Sequence, residues 1–525
     1  MARILVSDPL PQDIVDFLSK EAEVEVCTGL SPSDLAAKVA DFDALIVRSQ
    51  SKVTREVIAG AKNLRVIGRA GVGVDNIDVD AATERGIMVI NSPEGNTISA
   101  AEHTFGLLLA AARWVPQAQA SMRRGEWDRK TFTGSELYHK TLGVVGFGRI
   151  GREVAERAAA FRMKILAYDP FISEEFARER GVELVALDDL LQRSDFVTLH
   201  MPKTAETDNL LNTERLALMK PTAILVNCAR GGIVNEQALY EALKSKQLAM
   251  AALDVFAQEP LGPSPLLELA NFVSTPHLAA STHEAQERVA VDVAEQILEV
   301  LAGGAPRSAV NIPYVPPEAM SFLKPYLTLC ERMGKFAQSL AKGPISQVSV
   351  VYSGEVAESD TRYLTKALLR GLLAAGSPEG VNFVNAGVVA RSRGIAVSEA
   401  NVNECETYSS HVEVELRTER GTGKLGGTVF GTDEPRVVEL DEFPLSIVLS
   451  GTKLITWQTD RPGVVGRVGT LLGECDINIA EMQLGRSSPR TQAVMVMSID
   501  EMPEEAAMKQ IRELDGIEDV RLVKL

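Results

Sequence analysis

One stretch constrains the fold more than any other. Residues 142–145 form an apolar run, and Gly146-Phe147-Gly148-Arg149-Ile150-Gly151 follows it and opens a helical segment. A second apolar run, 165–168, leads directly to Asp169. Glycines at this spacing permit a tight turn and let the backbone approach a pyrophosphate at the helix N-terminus, where unpaired amides point outward. An acid about twenty residues on is placed to hydrogen-bond an adenosine ribose. A glycine triplet alone is a weak signal; the strand–turn–helix context and Asp169 strengthen it. Pro170 and Phe171 follow, with no arginine to receive a 2′-phosphate, so the pattern favours NAD over NADP.

The rest of the chain alternates in the same way. Short apolar runs at 3–6, 23–26, 44–47, 65–67 and 88–90 are spaced by helix-sized intervals, which reads as a buried parallel sheet in βα units. A long helical stretch covers 98–115. A second βα series begins at Thr141, with runs at 142–145, 165–168, 196–199, 223–226, 251–255 and 272–274. Six such runs suit a doubly wound nucleotide-binding unit. Val289, Val293, Ile297 and Leu301 then repeat every fourth position, an apolar stripe that must pack on something. Gly303-Gly304-Ala305-Pro306 reads as a helix stop and a linker. Residues 307–449 mix two helical segments with alternating, glycine-rich stretches at 411–417 and 424–430, an α+β pattern with hairpins. From Leu454 onward the order strand, helix, strand, strand, helix, strand gives a ferredoxin-like βαββαβ unit. The fold class is therefore α/β, two doubly wound parallel-sheet lobes followed by two α+β units.

At 525 residues the chain is too long for one core. Its formal charge of −17 argues against a nucleic-acid binder, which needs a basic face to displace counterions. An anionic substrate would need a local basic cluster. Five dispersed cysteines, without metal spacing, fit a reducing compartment. The opening Met-Ala-Arg runs straight into a strand, and no apolar run approaches the ~20 residues of a membrane span, so a cytoplasmic protein is expected.

Ligands in open α/β sheets sit at the carboxyl ends of the strands. Along that edge, run 223–226 leads to Asn227-Cys228-Ala229-Arg230, run 251–255 to Glu259-Pro260, and run 272–274 to Thr275-Pro276-His277. An arginine can grip a substrate carboxylate and polarise the C2 oxygen. A histidine can exchange the hydroxyl proton during hydride transfer, and a glutamate can fix its tautomer. Singly these residues have bland readings as solvated or turn positions; together, beside a dinucleotide site, they point to Arg230, Glu259 and His277 as a catalytic set. Asp254, nearer the sheet, is a candidate contact for the nicotinamide carboxamide. Gly71-Val72-Gly73-Val74-Asp75 lacks the third glycine and reads as a turn whose amides face substrate.

These motifs closely resemble the D-2-hydroxyacid dehydrogenase family. The resemblance implies Arg230, Glu259 and His277 as the catalytic triad. It implies an NAD site lined by Arg149, Ile150, Asp169, Cys228, Ala229 and Asp254, with the turn glycines Gly146, Gly148 and Gly151. Main-chain groups around Val72, Met201 and Ala280 complete that site. It also implies a discontinuous first lobe, residues 1–98 completed by 283–304, around an NAD domain at 99–282. Val47-Arg48-Ser49, Lys52 and Gly68-Arg69-Ala70-Gly71 resemble the long-chain branch that takes 3-phosphoglycerate, in which extra positive charge meets the phosphate. Arg129 matches a position that reaches a neighbouring subunit. The same branch carries an intervening domain, here 307–449, where Arg391 and Arg393 are candidates for an anion site. Residues 453–525 resemble an ACT domain, with Asp460 and Asn478 at positions that hold L-serine across a paired interface. A homo-oligomer, expected as a tetramer, follows from the resemblance. The rival within the family is a glyoxylate or hydroxypyruvate reductase, which would not need Arg48 and Arg69 together.

Overall fold

Runs such as Arg3-Ile4-Leu5-Val6 are apolar on both faces, and only a sheet covered on both sides can bury them. In the computed structural model, which describes residues 1–304, 306–375 and 380–525, five of them form the first sheet. Its strands are β1 (Arg3–Val6), β2 (Glu23–Val26), β3 (Ala44–Val47), β4 (Val66–Arg69) and β5 (Met88–Ile90). All pair in parallel, in the order β2-β1-β3-β4-β5. The chain winds outward from β1 to β2 and then crosses to β3, so the ends of β1 and β3 frame a crevice.

The second sheet holds β6 (Thr141–Val145), β7 (Lys164–Tyr168), β8 (Glu183–Leu184), β9 (Phe196–Leu199), β10 (Ile224–Asn227), β11 (Met250–Leu253) and β12 (Phe272–Ser274). The order is β12-β11-β10-β9-β6-β7-β8, all parallel, with the reversal between β6 and β9. The sequence pattern gives six strands. The seventh, β8, has two residues, too short to show any periodicity.

One helical stretch differs from expectation, and another agrees with it. The stretch 98–115 is a helix only over Thr97–Ala112; Trp114 then takes a left-handed φ of 54° and a second helix, Val115–Arg123, begins. Pro116 has no N–H to donate back to Ala112, so one continuous helix cannot pass through it. The stripe at 289–301 lies on the helix His283–Leu301, where Val293, Ile297 and Val300 pack with Ile4, Val6 and Ile46 of the first sheet. Arg65 donates to the carbonyls of Val300 and Leu301, satisfying that helix's last turn. Ala305, in the glycine-rich stop, lies outside the described residues.

Beyond it the chain first returns to the first sheet. Val310 N donates to Val89 O and Asn311 Oδ1 accepts from Val89 N, covering the open edge of β5. The six-stranded sheet that follows packs on the helices Pro317–Leu340 and Arg362–Leu373. The last four strands, Thr452–Thr459, Ile479–Arg486, Gln492–Ile499 and Ile517–Lys524, form an antiparallel sheet with two helices on one face. Its other face contributes Ile455, Val494, Val496 and Val523 to the core of the preceding unit, so the two share one hydrophobic core.

Candidate active site

Both crevices open into the space between the two lobes. A cavity of about 690 Å³ is lined by Arg48 and Arg69 from the first lobe and by Glu259 and His277 from the second. A neighbouring one of about 350 Å³ is lined by Val72, Arg149, Ile150, Met201, Cys228, Ala229, Arg230 and Ala280. Arg69, Asn96, His277 and Ala280 line both, so the two form one continuous cleft.

His277 and Glu259 reach this cleft from different loops. His277 Nδ1 lies 2.7 Å from Glu259 Oε2, and Glu259 Oε1 accepts from Phe256 N at 2.9 Å. A carboxylate only accepts, so Nδ1 carries a proton and Nε2 is left to face the cleft. His277 itself has a left-handed φ of 55°. Asp254 holds that loop: its carbonyl accepts from His277 N at 2.8 Å and its carboxylate accepts from Leu278 N and Ala279 N. Asp254 has no exposed surface, and Thr275 Oγ1 and His103 Nε2 also bond its carboxylate. Burial alone would push this carboxyl up, but the hydrogen bonds from His103, Thr275, Leu278 and Ala279 hold it below the usual range. Asp254 therefore stands at the back of the cleft wall, with Oδ1 bonded by His103, Thr275 and Leu278 and Oδ2 by Ala279 N.

The glycine turn supplies the fit test for a dinucleotide. Gly146 has φ 95°, and a Cβ there would lie 2.5 Å from His200 O. A Cβ at Gly151 would collide with the carbonyl of Gly146. Gly148, at the N-cap of the helix Arg149–Ala160, has an ordinary φ of −71°, and a Cβ there would meet nothing within 4 Å. That empty space at a helix N-terminus is where a pyrophosphate fits. Asp169 follows β7, and its carboxylate accepts from Phe147 N and Phe171 N, which ties it to the same turn. Cys228 is an inert wall: burial pushes its thiol up to about 12.

Three arginines converge on the cleft. Arg69 is partly buried, and its desolvation, then the charge of Arg230, push its guanidinium down to about 10. Its Nε has no hydrogen-bond partner among the described residues. A side chain at Gly71 would strike this guanidinium, so the glycine makes room for it. Arg48 extends from the end of β3, where the buried Asp8 accepts from Arg48 N, Ser51 N and Ser51 Oγ. Arg230 Nε lies 3.2 Å from Asp75 Oδ2, an ion pair that crosses between the lobes. Lys52 and Arg129 line neither cavity; both are exposed, Arg129 on the connection that precedes β6.

Known proteins resemble this chain along its whole length. The family model for the D-isomer specific 2-hydroxyacid dehydrogenase NAD binding domain matches residues 105–279. The D-3-phosphoglycerate dehydrogenase intervening domain matches 322–441, and the ACT domain 452–516. D-3-phosphoglycerate dehydrogenase of Methanocaldococcus jannaschii is 47% identical over 526 residues, covering 100% of both chains. That of Synechocystis is 48% identical, covering 100% of this chain and 95% of its own. The chain belongs to the D-3-phosphoglycerate dehydrogenase family. Among solved structures, D-lactate dehydrogenase from Aquifex aeolicus, complexed with NAD and lactic acid, matches with a TM-score of 0.54 and 30% identity. It covers 59% of this chain and 99% of its own. The chain is thus an NAD-dependent dehydrogenase of a 2-hydroxy acid, with a C-terminal ACT domain.

In that ACT domain, Asp460 and Asn478 are not brought together. Thr459 pairs with Gln492 at one end of the sheet, whereas Ile479 pairs with Ile499 at the other. Seven residues of strand, about 20 Å, separate those ends. Asp460 accepts from Arg490 N, and Asn478 Nδ2 donates to Asp500. Asp8, Asp75 and His103 are the site residues that sequence reading missed. Their partners Ser51, Arg230 and Asp254 are distant in the chain, and a single sequence carries no sign of such pairs.

Proposed function

We propose that this chain oxidises 3-phosphoglycerate to 3-phosphohydroxypyruvate with NAD, the opening step of serine synthesis. The observation that carries this reading is the convergence of Arg48, Arg69 and Arg230 around the Glu259-tethered His277 in one cleft. Arg230 binds the substrate carboxylate and polarises the C2 oxygen, a role its planar fork suits. His277 Nε2 accepts the C2 hydroxyl proton, with Nδ1 held by Glu259. The turn Gly146–Gly151 would hold NAD, which would supply the acceptor for the hydride leaving C2. Arg69 and Arg48 meet the phosphate; in a chain of charge −17 this cluster is what makes the cleft attractive to a phosphorylated acid. A glyoxylate or hydroxypyruvate reductase would leave the partly buried Arg69 without an anion.

The same reading extends to regulation and assembly. Asp460 and Asn478 hold L-serine between the ACT domains of two copies, since within one copy they lie at opposite sheet ends. The chain works as a homo-oligomer, a tetramer, with Arg129 serving a neighbouring copy's cleft. No helix of the described residues is long and apolar enough to cross a membrane, and the enzyme works in the cytoplasm.

Arg69→Ala tests the phosphate site. Loss of a charge-assisted hydrogen bond, about 1.5–3 kcal/mol, should raise KM for 3-phosphohydroxypyruvate about 10- to 100-fold. KM for NADH should stay near the wild-type value. Equal effects on both would remove Arg69 from the phosphate.

A further inference from the structure

His103 lies on the helix Thr97–Ala112 and takes no part in the chemistry above. Its Nε2 is 3.2 Å from Asp254 Oδ1 and 3.1 Å from Thr275 Oγ1. Thr275 gives its only hydroxyl hydrogen to Asp254 Oδ1, at 2.5 Å, so toward His103 it can only accept. Both neighbours therefore require the proton on Nε2, which fixes the ring's tautomer. Asp254 then holds three consecutive backbone amides: His277 through its carbonyl, and Leu278 and Ala279 through its carboxylate. A histidine at φ 55° does not keep that conformation unless its surroundings impose it. His103 and Thr275 are the side-chain donors that orient the imposing carboxylate.

The geometry points to His103 as a positioning residue for hydride transfer: its Nε2–H anchors Asp254 and Thr275, which set where the His277 imidazole meets the substrate. This rests on the reading of His277 as the acid–base group. His103 touches no reacting atom. Its effect falls on kcat rather than on the binding of NADH, whose pyrophosphate cradle lies after β6.

The test uses the full-length chain with His103→Ala, His103→Asn and His103→Gln, and His277→Ala as a control. Glutamine's Nε2 reaches the place of the imidazole Nε2, whereas asparagine's amide ends one bond short. Steady-state NADH oxidation with 3-phosphohydroxypyruvate should show kcat reduced by about tenfold or more in His103→Ala and His103→Asn. KM for NADH should change by less than about twofold, and His103→Gln should recover kcat to within about threefold. If His103→Gln is no better than His103→Asn, the ring only fills space and the inference fails. Wild-type kcat in His103→Ala beside an inactive His277→Ala also overturns it, while leaving the triad standing. Activity retained in His277→Ala would instead sink the triad reading and leave His103 with nothing to position.

Discussion

At Gly148 nothing inside the protein demands a glycine. Its φ is ordinary and a methyl group there would touch nothing, whereas at Gly151 the carbonyl of Gly146 excludes a side chain. Gly148→Ala should therefore leave the thermal midpoint within a degree or so while raising KM for NADH about tenfold or more. Gly151→Ala should lower the midpoint itself; calorimetry beside NADH titration separates the two. An unchanged KM in Gly148→Ala would move the pyrophosphate elsewhere. Single residues were legible where a strand end carried them. Arg230, Glu259 and His277 each follow a recognisable apolar run, so the sheet-edge rule places them on one edge. Asp8 was not legible, because its meaning lies in Ser51, 43 residues away, and a lone Asp before Pro9 reads as a turn. The engagement of Asp254 was hidden for the same reason: its donors come from the helix Thr97–Ala112 and from a loop after β12.

Elements were legible in proportion to their length and regularity. The strands of the two parallel sheets follow from apolar runs, and their parallel pairing follows from the βα repeat. β8 and the break at Trp114 did not show, one for want of length and the other because Pro116 was weaker in the pattern than the apolar stretch around it. The end of β9 carries a prediction of its own. His200 is partly buried at the cleft wall, its Nε2 2.9 Å from Thr198 Oγ1, and desolvation pushes its imidazole down to about 3. The unfolded chain then binds a proton near pH 6.5 that the folded chain refuses. His200 thus favours folding above pH 6.5, and this contribution is lost as pH falls from 6.5 toward 3, at up to about 1.4 kcal/mol per pH unit. Urea midpoints measured at pH 7 and pH 5 should drop more for wild type than for His200→Asn. Parallel drops would show that His200 titrates freely in the fold.

At the scale of the whole molecule, charge joins what the backbone leaves apart. Arg230 pairs with Asp75 and Arg149 with Glu94, so the arginines proposed for substrate and cofactor already bridge the lobes. Both partner carboxylates are largely exposed, so each pair is weak enough for a ligand to displace. The shared core of the last two units was not legible. Residues 493–499 are apolar on both faces, which tells that both are covered but not by what. The ACT sheet makes a prediction at this scale too. If serine sits between two copies, chains carrying Asp460→Ala and chains carrying Asn478→Ala should each lose inhibition. Mixed assemblies of the two should regain it in part, because one of their two shared sites keeps both side chains. Inhibition absent from every mixture would rule out the two-copy site.

The most direct test of the phosphorylated-acid site is NADH oxidation by the wild-type chain with 3-phosphohydroxypyruvate and, side by side, with hydroxypyruvate. Two arginines meeting one phosphate predict a kcat/KM higher for the phosphorylated acid by about 100-fold or more. Equal values for the two acids would contradict the account and leave Arg48 and Arg69 without a phosphate to bind.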